Sequence, residues 1–415
     1  MISRVLYLAL EPPWPPNDGG RLRNFHLLQS IARLSEVTLL AFTSSKAPAC
    51  DIAPIREVCK DVLIVNRPTN KRPSLGKRVE LAFSRRPQAM RLYDSREMAA
   101  LLVAAATNGR IDVVHVDDLY LAAYAAHIRD VPKVLNHQNV EATSQRRLLL
   151  RDPAARSTLY GWLRWLEHLQ WCAFERHSLA WFDGHVAVSE LDARYFRRYS
   201  GNVPVWVVPN GVDTRGIQMR SDPGGPPTLV YVGSMDYPPN AEAVRSFVIE
   251  TFPMIERSQP DVRLLLVGRN PPPSVVSLTR SNVIVTGTVP DVAPYYEQSH
   301  VAIVPLISGG GTRLKILEAL AQGVPVVSTP VGAEGLDLTP DQDLLIANTP
   351  ESFASRVVQL LNEPALRAAL ASHGRRTVAT RYDWNKIGEG LLEVYALAAA
   401  RSRRTQLREV AEARQ

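Results

Sequence analysis

Residues 308–330 read SGGGTRLKILEALAQGVPVVSTP. Three glycines, Gly309, Gly310 and Gly311, follow the apolar run VAIVPL, and a helical pattern then runs to Gly323 before the β-branched VPVVS. Thr312 is a suitable cap for that helix and Gly323 a suitable stop. Strand, glycine turn, helix and strand in this order predict two parallel strands joined by a crossover helix. On a wheel of about 100° per residue, Leu314, Ile316, Leu317, Leu320 and Ala321 cover one side, and Lys315, Glu318 and Gln322 share the other. Arg313 falls on the apolar side in the first turn, where a guanidinium is costly unless it reaches an anion.

A glycine-rich turn between a parallel strand and a helix lets the backbone approach a ligand and aims N–H groups at it, which suits anions and sugar hydroxyls. Arg313 and Lys315 would neutralise a diphosphate, and Glu318 would accept hydrogen bonds from a pair of sugar hydroxyls. Together they describe a nucleoside-diphosphate site. The alternative for Lys315 and Glu318, three residues apart, is a surface ion pair worth about 0.2–0.5 kcal/mol.

The same alternation extends in both directions. The first half carries RVLYLAL, VTLLAF, DVLIV, IDVVHV, KVLN, DGHVAVS and VWVVPN, and the second TLVYVGS, VRLLLVG, NVIVTGTV, VAIVPL, VPVVSTP and DLLIA. Continuous apolar strands separated by helices predict parallel sheets covered on both faces, and two such series predict two doubly wound α/β domains. The length of 415 residues exceeds what one core usually serves, which fits two domains of roughly 200 residues. The polar RSDPGGPPT at 220–228 reads as a linker before a new strand. We expect an N-terminal Rossmann-like domain over 1–208, a C-terminal one over 209–382, and a last helix with a basic tail over 383–415.

Composition excludes several classes. Apolar residues make up 46% and charged residues 21%, so disorder does not dominate. The cysteines Cys50, Cys59 and Cys172 have no metal-ligand spacing and cannot all pair, which favours a reducing compartment. No stretch is apolar enough to span a membrane, and MISRVLYLALEPPWPP lacks a small-residue cleavage site and reads as a buried strand, so a cytoplasmic location is expected. The net charge of +7 is concentrated locally: Arg67, Lys71, Arg72, Lys77, Arg78, Arg85, Arg86, Arg91 and Arg96 face only Glu80, Asp94 and Glu97. Such a segment attracts phosphates or anionic lipid, or is a solvated face. Trp162, Trp165, Trp171 and Trp181 lie in a long helical pattern that either packs inside the domain or rests on a membrane surface. No nucleic-acid-binding module surrounds the basic segment, and no spaced G-x-G-x-x-G follows either first strand, which argues against a nucleic-acid binder and a dehydrogenase.

GGGTRLKILEALAQGVPVVSTPVGAEGL, with VVPNGVD at 207–213, VAVSELD at 186–192 and PPWPPNDGGRLRNFHLL after the first strand, resembles the retaining nucleotide-sugar glycosyltransferases of family 4, which have the GT-B architecture. The resemblance implies two Rossmann-like domains facing across a cleft. The acceptor would lie mainly on the first and the nucleotide sugar on the second, with the last helix crossing back to the first domain. It implies no metal and no cofactor beyond the donor. Glu318 matches the second of the family's two glutamates and is expected to bind the donor ribose, whereas Gly310 stands where the first should be. Backbone amides of Gly310, Gly311 and Thr312 are expected to serve the donor sugar instead. The turn VGSMDYPPNAEAV lacks the arginine and lysine that the family often places there for the diphosphate, so Arg313 and Lys315 are expected to take that role. Gly233 and Val289 complete the expected donor set.

Gly19 and Gly20 match the family's glycine turn after the first strand, where amides approach phosphate or acceptor; an ordinary tight turn is the alternative. His137 falls where many members hold a histidine near the reacting sugar, and a hydrogen-bonded structural histidine is equally open. Glu141 on the same loop is a further candidate, or a helix cap. Asp117 and Asp118 match a metal-binding acid pair only weakly. The expected reaction is transfer of a sugar from a nucleotide diphosphate sugar to an acceptor hydroxyl with retention. The basic segment and the tryptophans suggest a lipid-linked or cell-surface glycan acceptor and peripheral contact with an anionic inner membrane face. A nucleotide-sugar epimerase and a non-catalytic nucleotide-sugar binding protein remain as alternatives.

Overall fold

A computed structural model describes residues 2–16, 18–43, 52–68, 84, 86–151, 158–215, 222–308 and 313–412. The chain forms two compact units, one of Met1–Pro209 with Trp384–Gln415 and the other of Asn210–Asp383.

The first unit is built on strands β1 (Arg4–Ala9), β2 (Glu36–Thr43), β3 (Asp61–Asn66), β4 (Val113–Val116), β5 (Lys133–His137), β6 (Gly184–Ala187) and β7 (Val205–Val207). They form one parallel sheet in the order β3-β2-β1-β4-β5-β6-β7. The second unit carries β8 (Thr228–Val232), β9 (Arg263–Val267), β10 (Val283–Gly287), β11 (Val301–Val304), β12 (Val326–Ser328) and β13 (Leu345–Ile346), parallel in the order β10-β9-β8-β11-β12-β13. The α/β class and the parallel sheets are as the sequence predicts. Alternate residues of β1 feed different cores: Val5, Tyr7 and Ala9 join one, Leu6 and Leu8 the other. The second sheet divides in the same way, Leu229 and Tyr231 on one face of β8 and Val230 on the other. Helices on both faces leave the central strands no polar side, which is why β4, β6 and β11 are buried throughout.

Each sheet reverses its winding beside its first strand, between β1 and β4 and between β8 and β11. At such a reversal the connections leave on opposite faces, and a crevice opens beyond the carboxyl ends of the strands.

The last helix, Trp384–Glu412, packs on the Gly19–Ala32 helix of the first unit. Ser30 donates to the Trp384 carbonyl at 3.0 Å, His26 stacks on Trp384, and the buried Tyr395 hydroxyl lies 2.8 Å from His115 Nδ1. A Cβ on Gly388 would stand 2.1 Å from Ser30 Cβ, so only glycine permits this approach. Among the described residues no helix is long and apolar enough to cross a membrane.

Candidate donor site at the second sheet reversal

The helix that follows β11 runs over Leu314–Ala321, and Arg313 occupies its N-cap position without a side-chain cap. It begins later than the sequence pattern predicts, and Gly310, Gly311 and Thr312 lie outside the described residues. Gly323, at φ 72°, ends it. Ile316, Leu317, Ala319, Leu320 and Ala321 are all buried, packed with Val230, Val304 and Val326 of the sheet and with Val378 and Tyr382.

The face read as polar is enclosed too. Lys315 and Glu318 are half-buried. Lys315 Nζ donates to the Tyr231 hydroxyl at 2.7 Å and to Asn240 Oδ1 at 2.9 Å, and the Tyr231 hydroxyl donates to Asn240 Oδ1 at 2.8 Å. Asn240 in turn donates to the Ser234 carbonyl at 2.7 Å, tying this group to the turn after β8. A Cβ on Gly233 would meet Lys315 Nζ at 2.7 Å, so glycine there leaves the ammonium its place under the turn. The lysine therefore sits at the carboxyl end of β8, on the β8/β11 reversal.

Burial, and then the charge of Arg313, push the Lys315 ammonium down to about 7, while Glu318 pulls the other way. Arg313 is buried, 6% exposed. Burial pushes the Glu318 carboxyl above its usual range, with Lys315 opposing. Among the described residues no ion pair joins Lys315 to Glu318, and no hydrogen bond holds the Glu318 carboxylate. The surface-pair alternative is thereby corrected, because the lysine is turned inward and bonded to Tyr231 and Asn240, which leaves one of its three N–H groups over. Two cations crowded into a buried place at a strand end oppose folding; an anion would relieve them, and this is the pattern of a ligand site.

Val289 lies half-buried in the connection after β10, among the residues packed with this core. Sequence reasoning passed over Tyr231 and Asn240. The signals were a tyrosine in the otherwise aliphatic TLVYV and an asparagine in the first turn of the Pro238–Ser246 helix.

The expectations for the first unit need more correction. Gly19 and Gly20 make no glycine turn: they open the Gly19–Ala32 helix, capped by the Asp18 carboxylate, which accepts from the Arg21 amide at 3.0 Å. His137 is 1% exposed, stacked on Phe196 at 3.8 Å, with Nε2 3.2 Å from His185 Nδ1. Burial holds it well below the ordinary imidazole range. These contacts are those of the structural histidine among the two alternatives. Glu141 begins the Glu141–Arg151 helix, but its amide donates to Glu175 at 2.8 Å, so Glu175 is the cap. Asp117 accepts from Tyr7, Asn24, Asn136 and Gln138 and is not paired with Asp118, which caps the turn at Tyr120. Beside this network Arg23 is fully buried and donates to the carbonyls of Val208 and Pro209 and to Asn136, an interior role its charge did not suggest.

Cys59 is a buried thiol pushed up to about 12, in keeping with a small hydrophobe, and Cys50 lies outside the described residues. So do Lys71, Arg72, Lys77, Arg78 and Arg85 of the basic segment. Of the tryptophans, Trp171 is in the core, Trp165 and Trp181 pack against His168 and Phe174, and Trp162 is 60% exposed.

Two doubly wound parallel units in one chain, the second with buried cations at its winding reversal, define the GT-B class of glycosyltransferase fold. Residues 226–363 match the family model "Glycosyl transferases group 1" and residues 19–215 match "Glycosyltransferase Family 4". The chain belongs to the family 4 glycosyltransferases. It is 27% identical over 235 residues to the phosphatidyl-myo-inositol mannosyltransferase of Mycobacterium leprae, a match covering 54% of this chain and 62% of that one, which is less than two thirds of the relative's length. Among solved structures it resembles the sucrose-phosphate synthase of Thermosynechococcus elongatus, with TM-score 0.70 and 17% identity over 96% of this chain and 99% of that one. Anabaena HepE in complex with UDP gives TM-score 0.66 and 14% identity over 95% and 99%. These two likenesses concern the fold.

Proposed function

We propose that the protein transfers a sugar from a nucleotide diphosphate sugar to an acceptor hydroxyl with retention at the anomeric carbon. The observation that carries this reading is the buried Arg313 with the half-buried Lys315 and Glu318, at the carboxyl end of β8 and the winding reversal. The unit 210–383 takes the donor: Arg313 and Lys315 meet its diphosphate, and Glu318 accepts from the ribose hydroxyls. Backbone amides of residues 310–312 are proposed to complete the pocket, with Gly233 lining it at the turn after β8.

During transfer the bond between the anomeric carbon and the phosphate oxygen breaks, and a bond to the acceptor oxygen forms on the same face. The acceptor proton passes to the departing phosphate oxygen, so no protein base is assigned. Charge growing on the leaving diphosphate is met by the guanidinium and ammonium, which are already oriented and shielded from water. The reading assigns no metal and no cofactor.

The acceptor is proposed to be a lipid-linked or cell-surface glycan precursor. The M. leprae relative is named for a mannosyl transfer to phosphatidyl-myo-inositol, in keeping with this choice, and HepE was solved with UDP, in keeping with a nucleotide diphosphate donor. Peripheral contact with an anionic membrane fits the exposed Trp162 and Leu169 on one side of the Leu159–Ser178 helix.

A thermal-shift series with UDP, GDP, ADP and their sugars tests the reading, since a ligand bound by the native state alone raises the melting temperature. One nucleotide diphosphate should raise it, and its sugar should then be consumed with an acceptor extract. A flat response to all three nucleotides would overturn the proposal, and an isomerised free donor sugar would point to an epimerase.

A further inference from the structure

The turns after β8 and β9 are locked together. Gly233 donates its amide to the Val267 carbonyl at 3.0 Å, and Met235 donates to the Arg269 carbonyl at 2.9 Å. A Cβ on Gly268 would stand 1.8 Å from the Gly233 carbonyl oxygen, so the two turns meet backbone to backbone. This contact brings Arg269, two residues beyond β9, to the side of Ser234.

Arg269 is held by one edge. Its Nε donates to Ser234 Oγ at 2.7 Å, and Ser234 Oγ donates to Asp236 Oδ1. Asn270, at φ 50°, donates to the other Asp236 oxygen at 3.0 Å, and that oxygen lies 4.0 Å from Arg269 Nε. Among the described residues neither Nη group has a partner, and the side chain is one-third exposed. A guanidinium fixed at Nε presents its two Nη groups as a preformed fork, the geometry that takes two oxygens of a phosphate. Lys315 Nζ lies beneath Gly233, the residue before Ser234, so two cations flank consecutive residues of one turn. A diphosphate has two adjacent anionic groups to match them.

We infer that Arg269 is a donor-binding residue whose free Nη fork receives phosphate oxygens of the nucleoside diphosphate. The inference rests on the reading of the second unit as the donor unit and adds a ligand from a turn that the sequence did not single out. Ser234 is its positioning residue, since it touches the guanidinium and sets its plane. Holding the fork before the ligand arrives removes part of the ordering cost of binding.

The test is calorimetric titration of the full chain, wild type, Arg269→Ala, Arg269→Lys and Ser234→Ala, with UDP, GDP and ADP and the matching monophosphates, with melting curves for each variant. The expected result is a loss of about tenfold or more in diphosphate affinity for Arg269→Ala. Arg269→Lys should recover part of it, since it keeps charge without the fork, and Ser234→Ala should fall between wild type and Arg269→Ala. The monophosphate, which offers a single phosphate to the two cations, should lose less. A loop clip alone would lower the melting temperature and leave the ratio of diphosphate to monophosphate affinity unchanged, which overturns the inference. Wild-type binding with an indistinguishable Arg269→Ala overturns it alone, whereas a wild type that binds no nucleoside diphosphate overturns the donor reading as well.

Discussion

Lys315 Nζ lies 2.7 Å from the hydroxyl of Tyr231, with Gly233 directly over it. Its proton is held weakly, because burial and the nearby Arg313 push the ammonium down to about 7. A bound diphosphate would reverse that push. Binding should therefore take up a proton between about pH 7 and 9, and affinity should fall as pH rises through that range. Calorimetry in two buffers of different ionisation enthalpy reads the uptake directly. An affinity independent of pH from 6 to 9 would remove Lys315 from the diphosphate site.

The same lysine should cost the empty protein stability. Its folded value, about 7, lies below the ordinary lysine value of 10.5, so the unfolded chain binds more protons between these limits and stability rises with pH across them. At pH 7 and below the penalty is largest. Lys315→Met keeps the packing length and removes the charge, and Tyr231 still donates to Asn240. The variant should melt several degrees higher at pH 7 without nucleotide, since about 1 kcal/mol moves Tm by about 2–4 °C in domains of this size. It should bind donor nucleotide at least tenfold more weakly. A lower melting temperature would show that the lysine serves stability and not the ligand.

The fold was open to sequence reading because its signal is redundant: runs such as RVLYLAL and VAIVPL are apolar on both faces, which only a covered parallel strand requires. For the candidate site the sequence supplied the side chains to look at and little of their geometry. A helical wheel placed Lys315 and Glu318 on an outer face because it sees one helix, whereas Lys315 is enclosed by β8 and the turn after it, 84 residues earlier in the chain at Tyr231. For His137 the sequence left two alternatives open, because the surroundings of its ring at the end of β5 depend on Phe196 and His185, which no local pattern reveals. Arg269 was not singled out because its place beside Ser234 comes from a glycine contact between two turns.

Arg313→Ala and Glu318→Gln should each leave the fold intact and lower transfer by about two to three orders of magnitude, the usual effect of removing one oriented group that meets developing charge or fixes the substrate. The two should differ in kind. Arg313→Ala should act on kcat, since the guanidinium meets charge that grows in the transition state. Glu318→Gln should raise the donor KM, since a ribose contact is the same before and during the reaction. Steady-state kinetics separate them, and full turnover by either variant would count against the site.

The buried His137–His185 pair should make the first unit acid-sensitive. Burial holds His185 down to about 4 and His137 well below its usual range. His185 Nε2 donates to the Leu179 carbonyl at 2.9 Å, so its Nδ1 is the acceptor for His137 Nε2–H; a proton on His185 would set two N–H groups against each other, and one on His137 would go to its buried Nδ1, which has no partner among the described residues. Unfolded histidine takes a proton near pH 6.5, so stability is full above that value and falls as pH drops from about 6.5 toward 4. Urea unfolding at pH 7.5 and 5.0 should show the loss. His137→Phe, stacked on Phe196, should flatten the dependence, and an unchanged slope in that variant would place the sensitivity elsewhere.

Membrane contact, if it follows from the exposed face of the Leu159–Ser178 helix, should depend on two residues. Trp162 and Leu169 are each 60% exposed and seven positions apart, which puts them on one side of the helix. An indole at an interface keeps its ring among the headgroups while its N–H stays wet, and the net charge of +7 favours anionic lipid. The protein should co-sediment with vesicles rich in phosphatidylglycerol and much less with phosphatidylcholine vesicles. Trp162→Ser with Leu169→Ser should lower the anionic partition by about tenfold while nucleotide binding stays at the wild-type level, because neither residue lies in the second unit. Equal partition of wild type and double variant would leave this helix face without a lipid role.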